Sequence, residues 1–233
     1  IIDSPRERLI AILTNNFVPC NGRFPTLIML ASIFVAAKFP PAVASFAAAA
    51  AVLGVVLLGV FVTLIVSAAL SRTALRGEAS AFSLELPPYR RPSILRILYT
   101  SLIDRTLFVL WRAVIMAIPC GGVSWLLGNI RVGDATLMTH ISGWLNPLGY
   151  AIGLDGVIIL AYIIAIPANE IVVPTIIMAY LNAGMMKDAD ISQLQVILVD
   201  QQGWTLLTAV CLMLFSLLHN PCSTTIMTIW KET

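Results

Sequence analysis

Two short stretches, Pro19-Cys20-Asn21 and Asn220-Pro221-Cys222-Ser223, put a thiol between a proline and a small polar side chain inside otherwise apolar sequence. Proline lacks an N–H and frees a carbonyl one turn back. Non-helical backbone persists at membrane depth only where protein or a water-filled cavity satisfies it. In transporters such breaks mark binding sites, because freed carbonyls and half-helix ends become ion ligands. Thiol, amide oxygen and imidazole together suit a borderline divalent transition metal better than sodium or magnesium. The candidate set is Cys20, Asn21, Asn169, Glu170, Cys222 and Ser223, with His219 and Cys120 as further possibilities. His219 and Cys222 are spaced to face one side of a helical turn; a solvated histidine near a segment end is the plain alternative.

Glu170 is the only acid inside an apolar segment. A carboxylate at that depth is costly and by default functional; the structural alternative is a pair with Arg112, which is also intramembrane. Arg23 and Arg112 each lie within reach of a segment end, where a charged head can snorkel to water. Cys211, in "TAVCLMLF", reads as a small buried hydrophobe. Breaks are expected at Pro19 and Pro25, at Pro119 through Gly122, at Pro167 and Pro174, and at Pro221. With no CxxC pair and no HExxH, these side chains suit a transient site rather than a structural cage.

The elements that must position them belong to a membrane protein. The chain is 59% hydrophobic and 11% charged, with mean hydropathy +0.92, against about 25% charged in soluble domains. Residues 42–70 carry no charge, enough for a helix that needs roughly 20 apolar residues to span. The fold class is all-α: a polytopic helical membrane protein with proline-broken gate helices. Four regions follow: a partial first gate region (1–70), an Arg-rich cytoplasmic linker with an amphipathic helix after Pro92 (71–105), a core span with an outer mixed loop (106–155), and a truncated second gate region (156–233). Six arginines against three acids in 71–105 set that segment inside by the positive-inside rule. Segment 156–181 either crosses fully or enters and turns back, and 182–202 is a polar, acidic loop. Both ends read as cuts through a longer protein. There is no Gly-Lys dipeptide and no Gly-x-Ser-x-Gly, so neither a phosphate-binding loop nor a serine-hydrolase elbow is present. Nothing suggests a nucleic-acid partner.

Four stretches resemble one family. "SPRERLIAILTNNFVPCNGRFPTLIML", "LELPPYRRPS", "IPANEIVVPTIIM" and "HNPCSTTIMTIWKET" are similar, in this order, to signatures of the bacterial ferrous iron transport protein B family. The resemblance implies ferrous iron uptake through the inner membrane, with iron as substrate rather than cofactor. It also implies a preceding cytoplasmic GTPase domain (with GTP and magnesium) outside this chain, a small cytoplasmic accessory protein, and a homo-oligomer as a possibility. The two Asn/Pro/Cys breaks then look like matching halves of one ion gate. The sequence departs from the pattern at Asn21-Gly22, where Ser-Ala is usual, and at "PANE", where Ala-Lys-Glu is frequent. The competing readings are a nucleoside or small-solute transporter with similar gate helices, and a non-transporting membrane scaffold.

Overall fold

The computed structural model describes residues 4–73, 75, 77, 93–185 and 190–232. Residues 84–92 of the "LELPPYRRPS" stretch, and with them 74, 76 and 78–83 of the Arg-rich linker, lie outside them. Among the described residues, four helical segments are long and apolar enough to cross a membrane: Pro5–Lys38, Pro41–Arg72, Val109–Asn129 and Leu206–Lys231. This is the helical membrane architecture expected from composition.

The first segment starts with α1 (Pro5–Thr14), where Ser4 accepts from the Glu7 amide and Pro5 fills a position whose N–H would be idle. It stops at a 3-10 turn, Asn15–Phe17. Val18, ahead of Pro19, is extended, as a pre-proline residue must be. A second 3-10 turn, Asn21–Arg23, leads into α2 (Phe24–Leu30), with Pro25 in its first turn. A wide turn and a 3-10 turn carry the chain on to Lys38.

The unbroken α3 (Pro41–Arg72) runs back along this whole segment. Arg6 donates to the carbonyls of Leu75 and Gly77 at one end, and the Phe39–Pro41 turn closes the other. Midway, Gly59 lies beneath Phe17: a Cβ there would fall 2.3 Å from the Phe17 carbonyl oxygen. Only a glycine allows this approach.

After the linker, α4 (Ile94–Thr100) and a wide turn, Ser101–Leu107, lead into α5 (Phe108–Asn129). Ile94, Leu95 and Leu98 are exposed, as is every residue of 93–100. Contrary to expectation, α5 does not break at Pro119. One missing N–H costs a single bond, and the turns on either side carry the helix through.

Residues 131–155 are not an irregular loop. A two-stranded hairpin pairs Arg131–Val132 (β1) with Ala135–Thr136 (β2), and Thr136 then caps α6 (Leu137–Ala151). Trp144 and Tyr150 are exposed on α6, where aromatic rings can anchor at an interface. The chain turns by 108° into α7 (Gly156–Ile164). After Pro167 come a 3-10 turn, Asn169–Ile171, and α8 (Val172–Tyr180). Pro174 makes no break, because it sits in the first turn of α8, where amides lack helical partners anyway.

Asp155 caps α7 through its Oδ1 and accepts from the Tyr180 hydroxyl through its Oδ2. The end of α8 therefore returns beside the start of α7, and 156–180 is a hairpin that turns back at Pro167. Trp204 Nε1 donates to Tyr180 Oη, and the Trp204 ring stacks on Phe34. Phe34, Asp155, Tyr180 and Trp204 thus gather at one end of the fold, and Arg6, Leu75 and Gly77 at the other.

The acidic 182–202 stretch also contributes structure: α9 (Ile191–Gln195) and the wide turn Val196–Gln201 bury Leu194, Ile197 and Leu198. Then α10 (Leu206–Leu218) ends before Pro221 and α11 (Ser223–Glu232) follows. The fully buried side chains Leu27, Leu30, Ile158, Ile177, Leu212 and Leu217 come from the broken segments, while α3 and α5 lie outside them, largely uncovered. Between helices in lipid this packing acts through dispersion rather than hydrophobic transfer. The breaks are held in a close-packed centre.

Candidate metal-handling site

The three breaks around Pro19, Pro167 and Pro221 meet. The turn carrying Cys20 and Gly22 packs on the turn carrying Asn169 and Glu170; a Cβ on Gly22 would sit 3.2 Å from Glu170 Oε1. Ser223 binds the same place from the last segment, with both its amide and its hydroxyl donating to the Ile166 carbonyl, at 2.9 and 3.3 Å. That carbonyl is freed by the break at Pro167.

A cavity of about 460 Å³ opens at this junction, lined by Cys20, Gly22, Asn169, Glu170 and Cys222. Arg112 of α5 also lines it and donates to Thr228 Oγ1 at 3.3 Å. Among the described residues no ion pair joins Arg112 to Glu170, so the structural pair considered for Glu170 is not formed. A smaller cavity of about 40 Å³ adjoins it. Cys20, Asn169 and Cys222 line both. These three side chains, drawn from three separate segments, form a common wall.

Asn169 is buried, with Nδ2 donating to Cys20 Sγ at 3.8 Å and Oδ1 lying 3.2 Å from His219 Nε2. His219 Nδ1 lies 3.2 Å from the Phe215 carbonyl and 2.9 Å from that of Ser216. Nε2 lies against the Asn169 side-chain amide, and the ring packs against Tyr162 and Phe215. His219 orients Asn169 instead of lining the cavity. The Cys222 sulfur lies 2.9 Å from Thr224 Oγ1 and 3.2 Å from Thr225 Oγ1, two hydroxyls able to donate to a thiolate.

The remaining candidates fall elsewhere. Asn21 begins the same 3-10 turn as Gly22 but lines neither cavity. The Ser223 hydroxyl is spent on Ile166. Cys120, on unbroken α5, donates to the Ile164 carbonyl at 2.9 Å and faces a separate apolar cavity with Trp144 and Leu160. Among the described residues no three of His, Cys, Asp and Glu group as a closed metal cage.

Arg23 departs most from the sequence reading. It does not snorkel: it is 3% exposed. Nη1 donates to the carbonyls of Asn16 and Leu217 at 2.9 and 3.0 Å. Nη2 reaches Asn16 Oδ1 and the carbonyls of His219 and Asn220 at 3.1–3.2 Å. Asn16 itself donates to the His219 carbonyl. Arginine three residues after the break thiol was the available signal; its three acceptors 194 to 197 positions away were not legible.

A profile of the ferrous iron transport protein B C terminus matches residues 52–104. The chain is 31% identical over 196 residues to the Fe(2+) transporter FeoB of Legionella pneumophila strain Lens, covering 78% of this chain and 25% of that protein. It is 28% identical over 246 residues to the Fe(2+) transporter FeoB of Staphylococcus aureus strain COL, covering all of this chain and 33% of that protein. The chain thus spans a quarter to a third of the length of these relatives. No solved structure matches it.

Proposed function

Because this chain belongs to the ferrous iron transport protein B family, we propose that it is the permease part of a longer transporter that passes ferrous iron inward across the bacterial cytoplasmic membrane. One observation carries the reading: the wall common to the two cavities is made of two thiols and an amide, Cys20, Cys222 and Asn169, with the Glu170 carboxylate on the larger cavity. Thiol and imidazole-type donors select borderline metals over magnesium or sodium. Conduction also needs sites weak enough to release the ion. Two thiols from different segments, backed by hydroxyls and an amide, meet both demands. The nucleoside or small-solute reading is not favoured, since the relatives above are named for Fe(2+).

In this reading Glu170 concentrates cations in the larger cavity, because a carboxylate at low dielectric attracts a divalent ion far more strongly than it would in water. The ion then passes between Cys20 and Cys222. Coupling comes from a cytoplasmic GTPase domain of the same protein, with a small cytoplasmic accessory protein and self-association as further partners. The full-length gene is expected to restore growth of an iron-uptake-deficient strain under anaerobic, reducing conditions. Growth that tracks nucleoside supply instead of iron would overturn the proposal.

The same reading puts the Arg-rich 71–105 segment in the cytoplasm. A cysteine placed at Ser83 is expected to resist a membrane-impermeant thiol reagent in intact cells and to react after permeabilisation. Labelling without permeabilisation would reverse the orientation.

A further inference from the structure

The last carbonyls of a helix have no intrahelical partner and carry the negative end of its dipole. At the end of α10 those of Leu217, His219 and Asn220 converge with the Asn16 carbonyl and side-chain oxygen from the first break. In transporters with broken helices, such unwound carbonyls and half-helix C-termini hold the coupling cation. Here all five oxygens are taken by the Arg23 guanidinium. That side chain is buried, and no carboxylate pairs with it among the described residues. Its Nη1 and Nη2 groups meet the five oxygens, while its Nε finds no partner among the described residues. The dipoles of the carbonyls face the guanidinium directly, and it shares the smaller cavity with Cys20 and Cys222.

We propose that Arg23 is a tethered cation: it fills, from within the chain, an oxygen cage that would otherwise take a small monovalent cation, and so joins the first and last broken spans without a co-bound ion. Arg23 is a positioning residue in this role. Its bonds to Asn16 on one side and Leu217, His219 and Asn220 on the other fix the separation of the segments that carry Cys20 and Cys222. The inference concerns the joint between these spans and holds whichever ion the thiols handle.

Thermal unfolding of the full-length protein in detergent, at constant ionic strength, tests it. Arg23→Ala takes the guanidinium donors from a buried Leu217 carbonyl and four part-buried oxygens, of which only the His219 carbonyl keeps a second donor in Asn16, and is expected to lower the unfolding temperature by about 10 °C. Methylguanidinium, and more weakly sodium, should restore much of that loss in Arg23→Ala while leaving the parent unchanged. Choline, too large and without N–H donors, should restore nothing. An Arg23→Ala protein as stable as the parent, or one whose loss neither methylguanidinium nor sodium relieves, would overturn the proposal. Should that variant fail to accumulate, Arg23→Lys and Arg23→Met give the same decision. The charged lysine is expected to lose less than half of what the uncharged methionine loses, and equal losses would mean that side-chain shape, not charge, fills the cage. Because the readout needs no iron, it can fail or succeed separately from the transport reading.

Discussion

Replacing Cys20 or Cys222 with serine is expected to lower ferrous iron uptake about 10- to 100-fold, while Cys211→Ser stays near the parental rate. The three thiols lie in equally apolar sequence, so the difference must come from where the fold puts them. Cys20 and Cys222 form the wall between the two cavities. Cys211 packs beside Gly153, where an added Cβ would fall 2.9 Å from its sulfur. Serine keeps the size and loses the soft ligand, which isolates the chemistry from packing. Glu170→Gln is expected to act in the same direction and less strongly, because it removes long-range attraction but no thiol. Uptake of labelled iron under reducing conditions, normalised to the amount of protein in the membrane, gives the comparison. Parental uptake in both cysteine variants, with a loss in Cys211→Ser, would move the pathway away from the breaks.

The second large effect is steric. Gly59→Leu is expected to destabilise the protein by about 2–3 kcal/mol, a drop of roughly 5–10 °C in unfolding temperature. The side chain would have to occupy the space of the Phe17 carbonyl and the Leu217 side chain, pushing α3 off the first break. Gly54→Leu, on the same helix, meets nothing within 4 Å and is expected to be close to neutral. Equal effects at the two positions would show that helix propensity, and not the approach of α3 to Phe17, controls the response.

Much of this arrangement was legible in the residues. Pro19, Pro167 and Pro221 each break a helix as their surroundings implied, and each break contributes a polar side chain to the cavity wall. Pro119 and Pro174 misled because a proline's effect depends on which hydrogen bond it removes. Mid-helix in α5 a single loss is absorbed, and in the first turn of α8 no bond is lost. The helix over Leu137–Ala151 was obscured by Gly143, Pro147 and Gly149, residues disfavoured in helices that packing against α7 overrides. In the 182–202 stretch, read as a polar and acidic loop, the helical signal was present but outweighed by the acids around it: Leu194, Ile197 and Leu198 recur at helical spacing, and all three are buried. Arg23 could not have been read correctly from its neighbours. Its burial is supported by carbonyls 194 to 197 residues further along, and backbone oxygens leave no trace in a sequence.

That separation bears on how the protein can be made safely. The wall of the cavity needs Cys20, Asn169 and Cys222 together, and the first and last of these are far apart in the chain. At ordinary rates of synthesis, roughly 5–20 residues per second, some 10–40 s pass between the emergence of the first thiol and of the last. Throughout that interval the inserted portion has part of the cavity wall, and the Arg23 guanidinium has no α10 carbonyls to bind. Under the proposed function, a route for ions exists only once the final broken span is in place. A ribosome-bound or prematurely terminated chain would then carry no finished route, and the bilayer would keep its ionic gradients during synthesis.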